Sequence, residues 1–311
     1  MNASDAKMPP EARRKSAAFL TGLAFVVGYI LVSAAGEVYA ASAFQSSDIY
    51  TTLLIAFVII MVVFNLLPRH TRGMPTQQQV RAILALNAAT TVAWLGLFIG
   101  LKYVEPAIVV SFMVALGPIA TAVSNFVIRG ISPSRRDVIA SLLIVIAGIY
   151  LVAVIWVDMG GMSWNTYSWV GLLASLLAGS SLAVTGVFVK RLYDLNMDGR
   201  AILANRFYLT VIVLLFLVDF TVLRQQLTDN ALQALLIALS TLIVPVILIQ
   251  LGIKRLEPIT VNLLLCSAPM VTFLMQMFDS RLAPSLATLA GNIVIVAVAI
   301  WAVRAHASQG A

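Results

Sequence analysis

The sequence predicts an all-α integral membrane protein of ten transmembrane helices, arranged as two inverted five-helix repeats. Two observations predict this class: the composition of the 311 residues, and a phrase that occurs twice in them. Hydrophobic residues make up 61% of the chain and charged residues only 11%, and the mean hydropathy is +0.98. A soluble domain carries roughly 25% charged residues. The few charges here could not cover the surface of a water-soluble protein of this size.

Ten apolar stretches are long enough to cross a bilayer, which takes about 20 residues of helix. Breaks at charges, prolines and glycine clusters place them at residues 17–39, 49–67, 81–101, 106–128, 137–157, 168–189, 201–219, 231–252, 258–277 and 285–303. Nine spans are the main alternative, because the connection GEVYAASAFQSSD after the first stretch is typical of neither helix nor loop.

The basic residues predict which ends of these helices face the cytoplasm. With the N-terminus inside, sixteen Lys and Arg residues fall on the cytoplasmic side, three (Lys102, Arg224 and Arg281) fall on the opposite side, and Arg206 falls within a span. Cytoplasmic loops carry such an excess, so we expect both termini to be cytoplasmic in a protein of the cell inner membrane. The predicted organisation is a tail at 1–16, a first repeat at 17–157, a periplasmic linker at 158–167, a second repeat at 168–303 and a tail at 304–311.

The composition also argues against several functions. The net charge of +7 is spread over short loops, which is typical of topology signals and not of a nucleic-acid surface. Cys266 lies in an apolar run, so we expect a buried, inert thiol. The sequence has no Gly-x-x-x-x-Gly-Lys phosphate loop, and its two histidines, His70 and His306, lie in polar ends. We therefore expect no cofactor, no metal ion and no enzymatic activity.

One phrase occurs twice, about half a chain apart. Leu101–Val123 reads LKYVEPAIVVSFMVALGPIATAV, and Ile253–Leu274 reads IKRLEPITVNLLLCSAPMVTFL. Aligning the two glutamates places the fourth predicted span over the ninth and the fifth over the tenth. Because each unit has an odd number of spans, the second unit has to be inverted relative to the first. Many secondary transporters have this arrangement.

The phrase also predicts local structure. Proline is well tolerated at the first helical position, and a carboxylate just before it lies near the positive end of the helix dipole. Glu105 and Glu257 are therefore predicted to cap helix starts, with Lys102 and Lys254 able to neutralise them; substrate binding by the glutamates is the alternative. The second proline of each phrase lies near mid-span, where proline removes a hydrogen bond and bends the helix. The predicted hinges are Pro118 and Pro269.

These features resemble the drug/metabolite transporter superfamily, and in particular its EamA-type members. The resemblance rests on the two phrases, on WVGLLASLLAGSSLAVTGVFVKRL at the start of the second unit, and on the pair Arg206-Phe207 in the seventh span. It covers nearly the whole chain, from about Ala17 to Val303. The chain departs from the family's frequent Gly-Glu pair after the fourth helix of each unit, where it reads IRGIS and FDSRL. The resemblance implies ten helices around a cavity lined by the first, third, fourth, sixth, eighth and ninth.

Ionisable residues inside a span are functional candidates, because their burial in a membrane is costly. Glu37 lies towards the outer end of the first span, among the small residues of LVSAAGEVYAAS. We predict that it is the coupling residue for a proton or cation; an ordinary interface carboxylate is the alternative. Arg206 is expected to extend to the cytoplasmic face, because its span is predicted to begin only five residues earlier. A role in gating or pairing is the alternative.

Uncharged polar residues near mid-membrane are the predicted substrate contacts. Asn87, Thr91 and Trp94 fall on one face of the third span by their spacing of four and three residues, and the indole of Trp94 could stack on a planar or cationic substrate. The alternative is that such side chains hold membrane helices together by hydrogen bonds. The remaining predicted substrate contacts are Tyr29, Ser111, Ser181 and Asn262.

The sequence therefore predicts a secondary active transporter that moves a small polar or amphipathic metabolite, such as an amino acid or an amine, by alternating access. Export is the direction that the resemblance implies, and protons are a candidate coupling ion. The alternatives are an importer or exchanger of the same fold, a non-transporting sensor or scaffold, and an intramembrane enzyme. The expected partners are the substrate and membrane lipid, not nucleic acid. A monomer and a homodimer are both compatible with the sequence.

Overall fold

The structure is a computed structural model that describes residues 10–67, 74–158, 166–229, 231–279 and 286–307. Throughout these residues the regular structure is helical. In the first half the α-helices are α1 (Pro10–Ala43), α2 (Ile49–Leu66), α3 (Gln77–Tyr103), α4 (Pro106–Ser124) and α5 (Arg135–Asp158). In the second half they are α6 (Thr166–Asp194), α7 (Gly199–Ala204), α8 (Tyr208–Leu217), α9 (Phe220–Asp229), α10 (Ala231–Ile237), α11 (Val244–Arg255), α12 (Pro258–Leu265), α13 (Ala268–Gln276) and α14 (Leu286–Ala307).

Local sequence explains where several of these helices begin. The Asp48 side chain accepts a hydrogen bond from the Thr51 N–H at 2.8 Å and caps α2. Thr76 and Gln79 form a capping box at the start of α3, in which each side chain accepts from the backbone N–H of the other residue. α4 and α12 each begin with the first proline of the repeated phrase, as predicted.

Four long helical runs contain a departure from α-helical geometry. α4 passes into a π-helical turn at Asn125–Arg129, and α10 joins α11 through another at Ala238–Ile243. The run from α7 to α8 is broken at 205–207, and the run from α12 to α13 at 266–267. Non-helical backbone at membrane depth is tolerated only where it is buried in protein or lines a cavity. We therefore expect each of the two breaks to be buried in protein or to line a cavity.

Eight helical runs in the described part of the chain are long and apolar enough to cross a membrane. They are Ser16–Ala43, Ile49–Leu66, Gln77–Tyr103, Pro106–Arg129, Thr166–Asp194, Gly199–Leu217, Ala231–Arg255 and Pro258–Gln276. They coincide with eight of the ten predicted spans, so the chain is an all-helical, multi-pass membrane protein. α5 and α14 lie at the other two predicted positions, and the count of ten stays a prediction. The ambiguous connection after the first span is helical as far as Ala43.

Other predicted connections differ from the structure or fall outside it. Residues 159–165 of the predicted linker, together with His70 and Arg281, lie outside the described residues. The connection between the seventh and eighth predicted spans contains α9, a ten-residue helix that was not predicted.

The helices pack in pairs that recur between the two halves. α3 packs along α6, and α11 packs along α1; likewise α4 contacts α6, and both α12 and α13 contact α1. In each half, the helices formed by the repeated phrase also pack on the last helix of that half. In the first half α4 packs on α5, and in the second half α12 and α13 pack on α14. An inverted repeat produces this exchange of positions. The repeat itself stays a prediction.

Glycines bring α6 close to α3 and α4. A Cβ added at Gly179 would lie 1.9 Å from the Met113 carbonyl oxygen of α4, and one added at Gly96 would lie 2.6 Å from the Ala174 carbonyl oxygen of α6. Backbone atoms cannot move aside without moving a whole helix, so no larger residue fits at these positions. Such small-residue contacts allow membrane helices to approach closely.

Side-chain contacts define two ends of the helix bundle. At the first end, the Gln79 side chain at the start of α3 donates to the Leu195 carbonyl oxygen after α6 at 3.0 Å. At the second end, the Gln276 side chain at the end of α13 accepts from the Ala107 N–H at the start of α4 at 3.1 Å. The start of α3 and the end of α6 therefore lie at the first end, and the start of α4 and the end of α13 lie at the second end.

Candidate functional site

The break between α7 and α8 is held together by Asn87 of α3. A broken helix leaves backbone groups without intrahelical partners. The Asn87 Nδ2 donates to the Asn205 carbonyl oxygen at 2.6 Å, and its Oδ1 accepts from the Leu209 N–H at 3.3 Å. Nδ2 also donates to the Ile83 carbonyl oxygen at 3.0 Å. The amide of this predicted substrate contact is thus engaged by the interrupted backbone.

Thr91, one turn further along α3, supports the same region. Its hydroxyl lies 3.0 Å from the Thr210 hydroxyl of α8 and 2.8 Å from the Asn87 carbonyl oxygen. Both threonines are buried. In this structure Asn87 and Thr91 therefore join helices, which was the alternative interpretation of these residues.

Arg206 lies within the break and is buried, with only 2% of its surface exposed. The expectation that it extends to the cytoplasmic face is wrong, because the break directs its side chain between α3 and α6. Its Nε donates to the Thr90 hydroxyl at 3.3 Å, and its Nη2 donates to the Thr185 hydroxyl at 3.4 Å. Nη1 has no hydrogen-bond partner among the described residues.

The surroundings of Arg206 do not neutralise its charge. None of the ion pairs between described residues involves it. The titratable side chains that act on it are those of Tyr29 and Tyr193, which are phenols without charge at neutral pH. Its guanidinium carbon lies 5.7 Å from the ring centre of Phe207. Burial of a cation without a counter-ion is costly, so this site favours a negative charge.

A small cavity of about 20 Å³ lies beside Arg206. Such a volume admits about one water molecule. Residues of α6, α11 and α12 line it, and its polar lining consists of Thr185, Arg206 and Asn262. The structure thus brings the predicted substrate contact Asn262 to the same cavity as Arg206.

Glu37 and Tyr29 lie on α1, which packs on α11, α12 and α13. Glu37 is buried, 6% exposed, and its Oε2 accepts from the Thr272 hydroxyl of α13 at 3.4 Å. Ser33, one turn earlier, also hydrogen-bonds this carboxylate. In the described chain no Lys or Arg forms an ion pair with it. Tyr29, two turns before Glu37 on the same helix, is buried as well.

Trp94 belongs to an aromatic cluster. Its ring stacks on Phe98, with 5.9 Å between ring centres, and meets Phe57 edge-on at 6.3 Å. Phe57 in turn packs on Phe207 at 5.8 Å. The Trp94 Nε1 is buried without a hydrogen-bond partner among the described residues. The structure therefore places the indole in apolar packing next to the break, and not at the cavity beside Arg206.

The two other predicted substrate contacts lie apart from Arg206. Ser111 of α4 is buried, and its hydroxyl donates to the Asn292 Oδ1 of α14 at 3.2 Å. Ser181 is half-buried on α6. Neither residue lines the cavity beside Arg206.

The two predicted hinge prolines have different surroundings. α4 continues as a helix through Pro118. Pro269 is the second residue of α13 and follows directly after the break at 266–267. If both act as hinges, they do so from different backbone conformations.

Glu257 is the centre of an ion-pair network at the first end. Its Oε2 accepts from the Arg129 Nη1 at 2.7 Å, and its Oε1 lies 3.5 Å from the Lys190 Nζ. Arg129 also pairs with Asp194 at 2.9 Å. Burial acts to raise the pKa of Glu257, but the bonds and charges of Arg129 and Lys190 hold this pKa below its ordinary value. The network joins the π-helical turn after α4, the end of α6 and the start of α12.

Glu105, its counterpart in the first phrase, has a different environment. It precedes α4 but makes no capping hydrogen bond, and the Gln276 Nε2 donates to it at 3.4 Å. The expectation that Lys102 neutralises it is wrong, because the Lys102 ammonium donates to the Phe44 carbonyl oxygen instead. Burial raises the pKa of Glu105.

The sequence profile of the EamA-like transporter family matches residues 169–304. Residues 169–304 of this chain are similar to that family, and we refer to them as the EamA-like domain. This match confirms the resemblance to the drug/metabolite transporter superfamily that the motifs predicted. The EamA-like domain includes α6 to α14, and so contains the break around Arg206, the break before Pro269 and Glu257. By its description this is a family of transporters.

Solved structures agree with this fold. A crystal structure of a protein is similar over 95% of this chain and 99% of its own, with a TM-score of 0.64 and 16% sequence identity. At that identity the likeness shows the fold alone. No curated protein matches the chain.

Proposed function

We propose that this EamA-like protein is a secondary active transporter that moves a small polar or amphipathic metabolite across the cell inner membrane by alternating access. The observation that carries the proposal is the broken helix at 205–207, with Arg206 buried and without a counter-ion in the described chain. Interrupted membrane helices mark binding sites in many transporters. A bundle built only for stability gains nothing from a buried, unneutralised guanidinium.

Glu37 is the proposed coupling residue. Its carboxylate is buried in α1 and held only by hydroxyl groups, those of Thr272 and Ser33. An ionisable group in such surroundings gains or loses a proton when its access to water changes. Protons are therefore the proposed coupling ion, with export as the direction.

The predicted substrate contacts divide into two proposed roles. Asn262 lines the cavity beside Arg206, and we propose that it touches the substrate together with Tyr29, a buried residue of α1. Asn87 and Thr91 are proposed to hold the broken helix in place. Trp94, Ser111 and Ser181 are proposed to contact the substrate only in an open state, in which the cavity beside Arg206 extends to them.

The two ends of the bundle are the proposed gates. The excess of Lys and Arg supports a cytoplasmic position of the first end and of both termini. There the Arg129–Glu257 network joins α4 of the first half to α6 and α12 of the second. At the second end the Gln276 side chain of α13 contacts Glu105 and the Ala107 N–H at the start of α4. Opening of one end while the other is closed would expose the centre to each side in turn, with Pro118 and Pro269 as hinges.

Flux measurements in liposomes test this proposal. The purified protein is reconstituted, and labelled amino acids, amines and nucleosides are screened for uptake with and without a pH gradient. We expect saturable uptake of at least one compound, accelerated by the gradient. Failure of a folded protein to move any of these compounds would contradict the transporter assignment.

Glu37→Gln tests the coupling residue in the same liposomes. We expect the variant to exchange substrate between the two compartments but not to accumulate it in response to the pH gradient. Asp219→Asn is the control, because Asp219 is an exposed carboxylate at the second end. If Glu37→Gln retained full gradient-driven accumulation, the coupling role would be wrong.

A further inference from the structure

The hydrogen-bonding capacity of Arg206 is largely unused. A guanidinium group carries five N–H donors in a planar fork. In this structure two of its nitrogens make long contacts, of 3.3 and 3.4 Å, to the neutral hydroxyls of Thr90 and Thr185. The third nitrogen, Nη1, has no partner among the described residues, although the side chain is 98% buried (2% exposed). The group is therefore positioned to accept a ligand that brings oxygen acceptors and negative charge.

Glu37 does not supply that charge in this structure. Its carboxylate accepts from the Thr272 hydroxyl, and among the described residues no carboxylate forms an ion pair with Arg206. The negative charge that would neutralise Arg206 has to come from outside the described chain.

The lining of the site selects the kind of anion. Arg206 is the one charged residue among those that line the cavity; the apolar members include Leu182, Ile249 and Val261. A single positive charge in apolar surroundings neutralises a monoanion, whereas a phosphate dianion would leave one charge buried and uncompensated. A carboxylate also matches the planar fork of the guanidinium, because its two oxygens can accept two parallel hydrogen bonds.

We infer that Arg206 binds the carboxylate of the transported compound, so that the substrate is a small molecule bearing one carboxylate and an apolar or amphipathic remainder. This inference rests on the transport function proposed above and names the substrate class of the same site. The remainder would contact Leu182, Ile249 and Val261. Because the cavity of about 20 Å³ admits about one water molecule, entry of the substrate requires α6 and α12 to move apart.

The first test uses the full-length protein in detergent without any substitution. Phenylglyoxal modifies arginine side chains, and mass spectrometry reports the rate at Arg206 and at Arg255, an exposed arginine outside the site. The probes share one apolar side chain and differ in their polar groups: L-leucine, 4-methylpentanoate, L-leucinamide and 3-methylbutylamine. A second set has the side chain of L-phenylalanine, and inorganic phosphate is tested as well. We expect the carboxylates to slow modification of Arg206 and not of Arg255, and the amides, the amines and phosphate to have no effect.

The second test uses substitution. We expect Arg206→Gln to weaken carboxylate binding, measured by thermal shift, by about tenfold or more, as for the loss of a charge-assisted hydrogen bond. Arg255→Gln should leave binding unchanged. If Arg206→Gln does not fold, protection of Arg206 in the unsubstituted protein decides the matter.

Several outcomes would overturn the inference: equal protection by amides and acids, protection by phosphate alone, no protection by any carboxylate, or unchanged carboxylate binding in Arg206→Gln. Flux measurements separate this inference from the proposed function. Flux of amines without carboxylate protection would overturn the role of Arg206 alone. Carboxylate protection without flux of any compound would overturn transport alone.

Discussion

At the scale of single residues, Glu105 and Glu257 show how the same short motif acquires different chemistry. Both precede a proline at a helix start. Glu257 meets Arg129 and Lys190, which hold its pKa below the ordinary value against the opposing effect of burial. Glu105 meets the neutral amide of Gln276, and burial raises its pKa. The motif fixes the position of each carboxylate on its helix, while distant residues determine its charge.

These opposite shifts predict opposite dependences of stability on pH. The lowered pKa of Glu257 means that its contribution is complete above the ordinary carboxyl pKa of about 4.3 and is lost as pH falls through the folded-state value. The raised pKa of Glu105 means that its charge lowers stability as pH rises from the ordinary value through the folded-state value. We expect Glu257→Gln to lower the free energy of unfolding at pH 7 by up to about 1 kcal/mol, since the pair is partly exposed.

Glu105→Gln is the matched substitution. We expect the free energy of unfolding at pH 7 to be equal to or higher than that of the unsubstituted protein. We also expect stability to fall less between acidic and neutral pH than it does in the unsubstituted protein. Thermal unfolding of the purified variants from pH 3 to pH 8 provides the measurement. A destabilisation of the same sign and pH dependence in both variants would contradict these assignments.

The structure shows the burial of two candidate residues, Glu37 and Arg206, whereas their roles stay predictions. Glu37 was selected as an ionisable residue among small neighbours, and it is buried. The local sequence predicts Arg206 near the membrane surface, because a continuous helix that begins at Ala201 would place it there. The helix is interrupted at Arg206 itself, and the Asn87 amide that stabilises the interruption comes from another part of the chain. Contacts of this kind depend on tertiary packing and have no local signal.

At the scale of helices, the predictions were accurate because one physical requirement dominates. A span needs about 20 apolar residues, and charges and prolines mark its ends, so most predicted bounds agree with the structure within a few residues. The π-helical turns and the break at 266–267 were not predicted. Each of these irregular segments leaves backbone N–H and C=O groups without α-helical partners. The residues that replace those partners come from other parts of the chain, so a local pattern does not identify them.

The close approach of α6 to α4 predicts a large effect of a small change. At Gly179 an added Cβ would meet the Met113 carbonyl oxygen at 1.9 Å, whereas at Gly186 of the same helix its nearest contact would be Ile253 Cδ1 at 3.9 Å. We expect Gly179→Ala to lower the free energy of unfolding by about 1–3 kcal/mol, as other overpacked cores do. Gly186→Ala should change it by less than about 0.5 kcal/mol. Equal melting temperatures for the two variants in detergent would show that α6 and α4 are not held this closely.

At the scale of the whole molecule, the recurring helix pairs and the buried charges support one proposal. Each half packs its helices on the other in an exchanged order, and the polar centre lies where α1, α3, α6 and α12 meet. Under the proposed alternating access, rocking of the two halves would open this centre to each end in turn. The proposed network around Glu257 would have to separate when the first end opens.

The most direct test of this account is the accessibility of the centre from each side of the membrane. Leu182 lines the cavity beside Arg206, and the chain's single cysteine, Cys266, is buried. In a Cys266→Ala background, Leu182→Cys is exposed to a membrane-impermeant thiol reagent applied to one side or the other of sealed, oriented vesicles. Alternating access predicts reaction from both sides, with a transported compound changing the two rates in opposite directions. Reaction from one side only, or from neither side in a folded protein, would contradict the account.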